Sequence, residues 1–169
     1  MKRFSEPLEV PMGRTLLALS HWRTRDVRQR LTIPAAASAD FLLRFPVALE
    51  RVYHVRDREL ATLARPGFSE RLCPENDHLT AQLQSWAPRH RIVVGALVGR
   101  RLVRLTPAVS ASALTLTQTG RHAVARLRAS PEWSVVDRRA KALASLGLAS
   151  RSLESTCREA VALKDIASR

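Results

Sequence analysis

"GRRLVRLTPAVSASALTLTQTGRHAV", residues 99–124, decides how the rest of the chain is read. Arg101 to Leu105 and Ala113 to Thr117 are short runs in which branched apolar residues alternate or cluster. Pro107, Ser110 and Ser112 lie between them and suit a turn. The pattern predicts a β-hairpin. Upstream, an apolar run from Pro88 has helical character, and downstream Thr117, Thr119 and Gly120 lead into a helical pattern carrying Val124 and Leu127. The hairpin is therefore expected between two helices.

Working outward, 169 residues suffice for one well-buried domain, or for a small domain with helical appendages. Apolar residues make up 46% of the chain but aromatics only 5%, so Leu, Val and Ala must build the core, which favours helix. Lys and Arg number 28 against 15 Asp and Glu, a formal charge of +13, and the only lysines are Lys2, Lys141 and Lys164. Such an excess suits a polyanion or an acidic protein partner. Arginine and alanine richness also follows from codon bias in a GC-rich genome, in which case scattered arginines only solvate the surface. Cys73 and Cys157 are isolated thiols without metal or disulfide spacing, which fits a reducing cytoplasm. The opening "MKRFSEPLEVPMGRT" lacks an apolar segment of signal-peptide length, and the apolar run Ile92–Val98 is broken by Gly95, so neither export nor membrane spanning is expected.

Along the chain, Pro11 suits the start of an amphipathic helix with Met12, Leu16 and Leu19 on one face and Trp22 at its end. The basic connector "RTRDVRQR" follows. Pro34 then opens a run of small residues leading to Phe41, Leu42 and Phe45, with a kink or break at Pro46 and a continuation through Val47, Leu49 and Val52. A short exposed helix is expected over Arg56–Leu63, ended by "ARPGF" at 64–68. From Glu75 a further helix sets Leu79, Leu83 and Trp86 on one side and stops before Pro88, with Glu75 and Asp77 in its first turn. Ser130 and Pro131 suit the start of a helix with Trp133, Val136, Ala140 and Leu143 on one face, stopped by Gly147. Leu153, Cys157, Ala160 and Leu163 mark a last amphipathic helix. A helix, a hairpin and a helix in this order outline a winged-helix module. The expected fold is mainly α with a small β-hairpin, a winged-helix core with flanking amphipathic helices. It divides into residues 1–147, winged helix with an N-terminal helical extension, and 148–169, a C-terminal helix.

Motifs of catalysis are missing from the sequence. The six glycines never take the spacing of a phosphate-binding loop, and the five histidines, at 21, 54, 78, 90 and 122, form no H-E-x-x-H pair. Cys73 and His78 could share a metal, but two ligands without a second pair fit a capping or core role better. Glu75 with Asp77, and Asp57 with Glu59, sit among arginines and read as solvated helix surface. No catalytic residue, metal or cofactor is expected.

The helix before the hairpin, "PRHRIVVGALVGRRL", carries the functional argument. At about 100° per residue, Ile92, Val93, Val94, Ala96, Leu97 and Val98 cover roughly two-thirds of its circumference, so it wants burial on more than one side. A helix that reads bases in the major groove needs a small or polar face instead. Its cations cluster at the ends, where they suit phosphates or acidic side chains rather than base edges. Arg89, Arg91, Arg100, Arg101, Arg104 and, after the hairpin, Arg121 are the candidates for DNA contact. Ile92, Val93 and Leu97 are the candidates for a partner interface. Gly95 and Gly99 permit close helix approach. A DNA-binding transcription regulator explains the wing and the charge but predicts a polar recognition face that is missing; a winged-helix accessory subunit of a larger machine explains the apolar helix and the extra amphipathic helices; a small enzyme explains nothing specific.

The strings "SEPLEVPMGRTLLALS", "AASADFLLRF", "APRHRIVVGALVGRRLVRL", "LTLTQTGRHAVARL" and "VVDRRAKAL" stand in the order seen in a known group. Over roughly residues 4 to 146 the chain resembles the middle component of ABC-three-component systems and the related accessory subunit of Lamassu-type antiphage defence; residues 46–78 diverge. The resemblance implies a non-catalytic winged-helix subunit beside an SMC-like ABC ATPase and an effector nuclease, engaging DNA non-specifically through the complex. ATPase and nuclease activities would belong to those partners.

Overall fold

A computed structural model of the chain describes residues 6–22, 30–56, 65–108 and 111–162. Within them the protein is mainly helical, with one two-stranded antiparallel hairpin directly after the longest helix. The connector residues 23–29, the helix expected beyond Arg56 with Asp57 and Glu59, Ser110 in the turn, and Leu163 lie outside the described residues.

Helix α1 (Glu9–His21) is the axis of the core. Every residue from Pro11 to Leu19 is buried, because α2 (Ile33–Arg44), α5 (Leu79–Gly99), α6 (Gln118–Ala129) and α7 (Ser134–Ser145) surround it. This corrects the expectation of a one-faced amphipathic helix. Gly13 makes the close packing possible: a methyl there would run into the indole of Trp133, whose Cζ2 and Cζ3 would lie 2.8 and 2.9 Å away.

Thr32 caps α2, its hydroxyl accepting from the Ala35 N–H at 3.4 Å, and Pro34 occupies the first turn, where its missing N–H is not needed. The chain turns at Phe45 and α3 (Pro46–Arg56) begins. The short α4 (Phe68–Arg71) could not persist alone. It is held by a two-pronged Arg139–Glu70 pair at 2.8 and 2.7 Å, and by Arg71 donating to Glu50 at 2.6 Å. Glu75, expected on a solvated surface, accepts from Arg44 at 2.8 Å.

The helix expected to stop before Pro88 and the one expected to begin there are one element. A 3-10 turn at Pro74–His78 leads into α5, which runs through Pro88 without interruption. The missing Pro88 N–H forfeits one bond, a cost of about 3 kcal/mol. Burial of Leu79, His90, Val93, Val94 and Leu97, with Trp86 half-buried, lies on both sides of that point and outweighs it. Strand β1 (Val103–Pro107) pairs with β2 (Ser112–Leu116), Val103 opposite Leu116 and Leu105 opposite Leu114. A bridge from Thr32 to Ala113 adds a third extended segment beside β2.

Gly120 in the first turn of α6 touches the α5–β1 junction so closely that a Cβ would collide with the Leu102 carbonyl. α7 follows a 3-10 turn at Pro131–Trp133, and Ser130 precedes that turn without a side-chain capping bond. Gly147, at φ +62°, stops α7 as expected. Helix α8 (Ser150–Ala162) buries Leu153, Cys157, Ala160 and Val161 in the same hydrophobic cluster as α2 and α3. Burial pushes the Cys157 thiol up to about 12, leaving it unreactive. No helix among the described residues is long and apolar enough to cross a membrane.

Candidate binding surface

Which side of α5 faces solvent is fixed by a buried polar network. Arg14 on α1 donates from Nε to Asp40 on α2 at 2.6 Å, and from both terminal nitrogens to Glu6 at 2.6 and 2.7 Å. Asp40 also accepts from the Trp86 indole N–H on α5 at 3.0 Å. Trp86 stacks edge-on with Phe41 and Phe45, at 5.7 and 5.6 Å between ring centres. One turn further along α5, His90 Nε2 stands 3.1 Å from the Thr15 hydroxyl. Thr15 uses its one proton on the Pro11 carbonyl at 2.8 Å, so its oxygen accepts and Nε2 carries the imidazole hydrogen. His90 Nδ1 is then a bare acceptor, buried without a hydrogen-bond partner among the described residues.

Burial governs the charges here. It pushes the Asp40 carboxyl up to about 6, against the pull of Arg14 and Trp86. Burial also works to lower Arg14, and the Glu6 hydrogen bonds and Asp40 charge more than reverse it. His90 falls to about 4, first through burial and then through the Arg14 charge, so it is neutral at pH 7.

With Trp86, His90, Val93 and Leu97 turned inward, the outer arc of α5 comprises Ala81, Gln84, Pro88, Arg91, Ile92, Gly95, Val98 and Gly99. These recur every three or four residues over roughly 27 Å at 1.5 Å per residue. Ile92 is 66% exposed and Val98 37%. A Cβ on Gly95 or Gly99 would meet nothing within 4 Å. Of the three apolar interface candidates, only Ile92 is presented to solvent: Val93 at 5% and Leu97 at 0% belong to the core.

The six cationic candidates are all exposed, but they do not form one cluster. Arg89 and Arg91 lie midway along α5, and Arg100 and Arg101 at its end, about 15 Å further on at 1.5 Å per residue. Arg104 is on β1, and Arg121 is in the first turn of α6 with a 3.4 Å bond to the Leu116 carbonyl. The end of α5, the hairpin base and the start of α6 are tied together. The Thr117 hydroxyl donates towards the Arg101 and Leu102 carbonyls at 2.6 and 3.1 Å and accepts from the Gly120 N–H at 3.0 Å. Arg100 reaches Glu9 at 3.4 Å, whereas Arg89, Arg91, Arg101 and Arg104 have no carboxylate within 4 Å among the described residues.

Arg101 has a feature that the sequence reading missed. At φ +56° it is in the left-handed region, and it follows the α5 C-cap residue, Arg100. Its N–H reaches the Val98 carbonyl and the Leu102 N–H reaches that of Leu97, both at 2.9 Å. These are the paired bonds of a Schellman helix end, in the position where glycine is usual. An arginine there costs roughly 1 kcal/mol.

Two shallow grooves complete the surface. One of about 370 Å³ runs between the end of α1, β2 and α6, over Leu19, Trp22, Leu114, Val124 and Arg121. The other, about 440 Å³, lies beside His21, Trp22, Lys141 and Leu148. Arg128 at the first groove is engaged by Asp137 at 3.1 Å and Ser20 at 2.9 Å. Among the described residues, no three His, Cys, Asp or Glu side chains converge as a metal site requires. Comparison with known proteins finds no matching family model, no matching curated protein and no matching solved structure.

Proposed function

We propose that this chain is a non-catalytic accessory subunit of winged-helix type, which works by holding a partner protein and touches DNA only through phosphate contacts. The observation that carries the reading is the outer arc of α5. In its C-terminal half Ile92, Gly95, Val98 and Gly99 offer no side-chain hydrogen bond, and Arg91 is the only polar group among them. A groove-reading helix needs hydrogen-bonding side chains there. The order α1, Thr32 segment, α2 and, after the inserted α3 and α4, α5 and the hairpin supports the winged-helix part of the reading. The sequence resemblance supplies the partners we propose: an SMC-like ABC ATPase and an effector nuclease of a cytoplasmic antiphage defence complex. The exposed arginines favour a second, subordinate role in weak, sequence-independent DNA binding.

The test is duplex selection from a random library, followed by salt titration of the purified chain. The expected result is no enriched sequence and a steep salt dependence. Charge reversal of Arg100, Arg101 and Arg104 lowers the logarithmic slope by about 0.9 for each phosphate that is no longer neutralised. A sharply sequence-specific footprint would establish a transcription regulator instead.

A further inference from the structure

We propose that the outer arc of α5 receives an amphipathic α-helix of another protein, with an apolar face on Ile92, Gly95, Val98 and Gly99 and carboxylates along its edges. This rests on the partner-holding reading above and names the chemistry of what is held.

Three observations on one surface carry it. Ile92 and Val98 are exposed on an arc that no element among the described residues covers, whereas Val93, Val94 and Leu97 on the rest of the helix are buried. Between them Gly95 and Gly99, one turn apart, have open space where a side chain would stand. Their backbone forms a shallow trough into which another helix can settle more closely than the usual 8–10 Å axis separation of larger side chains. The charge on and beside the arc is of one sign: Arg91 on it, and Arg89 and Arg101 beside it, are without carboxylates among the described residues, and Arg100 makes only an exposed 3.4 Å contact. An apolar strip edged with uncompensated cations complements an apolar strip edged with anions. Duplex DNA would match the cations but leave Ile92 and Val98 against phosphate and water.

Gly95, Gly99 and Arg101 all weaken the end of α5 while shaping this surface, and that supplies clean variants. Gly95→Leu fills the trough with a better helix former in open space. Arg101→Gly removes a charge and relaxes the left-handed position. Both chains are expected to melt no lower than the parent, so a failure to dock in either is not unfolding.

The experiment places a photo-crosslinking benzophenone amino acid at Ile92 in the full chain, in the producing cells, and sequences the crosslinked peptide. The expected adduct is one protein segment with apolar or small residues every three to four positions and Asp or Glu on both flanks. Its yield should fall at least tenfold in the Gly95→Leu and Arg101→Gly chains. Adducts to nucleic acid, to a second copy of this chain or to a segment without flanking acids would overturn the proposal. So would the absence of any adduct, or yields indifferent to both variants. If the acidic helix comes from a protein other than an ABC ATPase, the docking proposal stands and the assigned partner falls. If the ATPase co-purifies but the adduct lies elsewhere, the reverse holds.

Discussion

His90→Gln should make the protein resist acid, and the size of the effect follows from the structure. The His90 side chain is sealed between α1 and α5, and its pKa is about 4 against an ordinary 6.5. Between those values the unfolded chain binds a proton that the folded chain refuses. Stability from this group is therefore complete above pH 6.5 and is lost as the pH falls through 4. At about 1.4 kcal/mol per pH unit the full loss is about 3 kcal/mol. Asp40 acts in the opposite sense: raised to about 6 from 3.8, it makes the folded chain gain relative stability as acid protonates it. In the parent these contributions offset each other, so its own profile is a poor probe. The difference between parent and variant is a good one, since groups common to both largely cancel. Gln keeps a donor for the Thr15 hydroxyl and has no proton to gain. Urea unfolding at pH 7 and at pH 4.5 should show the variant gaining about 2 to 3 kcal/mol relative to the parent on acidification. A difference independent of pH would refute the claim that a neutral, sealed imidazole holds α5 to α1.

Gly120→Ala and Gly95→Ala should shift stability in opposite directions. The first drives a methyl into the Leu102 carbonyl and should cost about 1 to 3 kcal/mol, whereas the second meets open space and should gain up to about 1 kcal/mol, each read as a melting temperature. Trp133→Ala empties the slot over Gly13 and should cost about 3 kcal/mol, low in the range for large aromatics because the indole is only half-buried. If this variant melts like the parent, Trp133 is not holding α7 to α1.

Local pattern located much of this fold. The hairpin stands within two residues of its expected strands, because Pro107 and the serines after it leave few ways to turn. The last two helices follow their periodicity, since each packs on one side only. What failed was any statement needing a second element. Apolar residues cover so much of α5 that periodicity could not decide between Ile92 and Leu97 for the exposed position. Asp40, far from Arg14 in sequence, and Thr15, still farther from His90, meet only after folding. Pro88 reads as a stop because its own cost is local, whereas the packing that outweighs it is not. Two misses had a signal. Gly13 interrupts a Leu-rich helix at a position where a glycine needs a packing reason. Arg101 follows Gly99 by two residues, where a helix end and a strand start were both open.

The buried network and the outer arc bear on each other. An Arg–Asp pair in a core is weak support for stability, since apolar residues of similar volume usually do as well. What it supplies here is rotation. Trp86 must meet Asp40 and His90 must meet Thr15, and a turn of α5 by one residue, about 100°, would break both contacts and carry Arg91 towards the core. The face thereby held outward is built from residues that weaken the helix. Pro88 costs about 3 kcal/mol and Gly95 and Gly99 about 1 each, and Arg101 adds roughly 1 more at the helix end. That total is of the order of a domain's whole net stability. Burial along α5 offsets the Pro88 share, but nothing among the described residues offsets the rest, because Gly95 and Gly99 face open space and Arg101 meets no carboxylate there. Stability alone would replace Gly95, Gly99 and Arg101 with alanine, leucine and a C-terminal glycine, so the docking proposed above would account for their place on a side of α5 that the described residues leave uncovered.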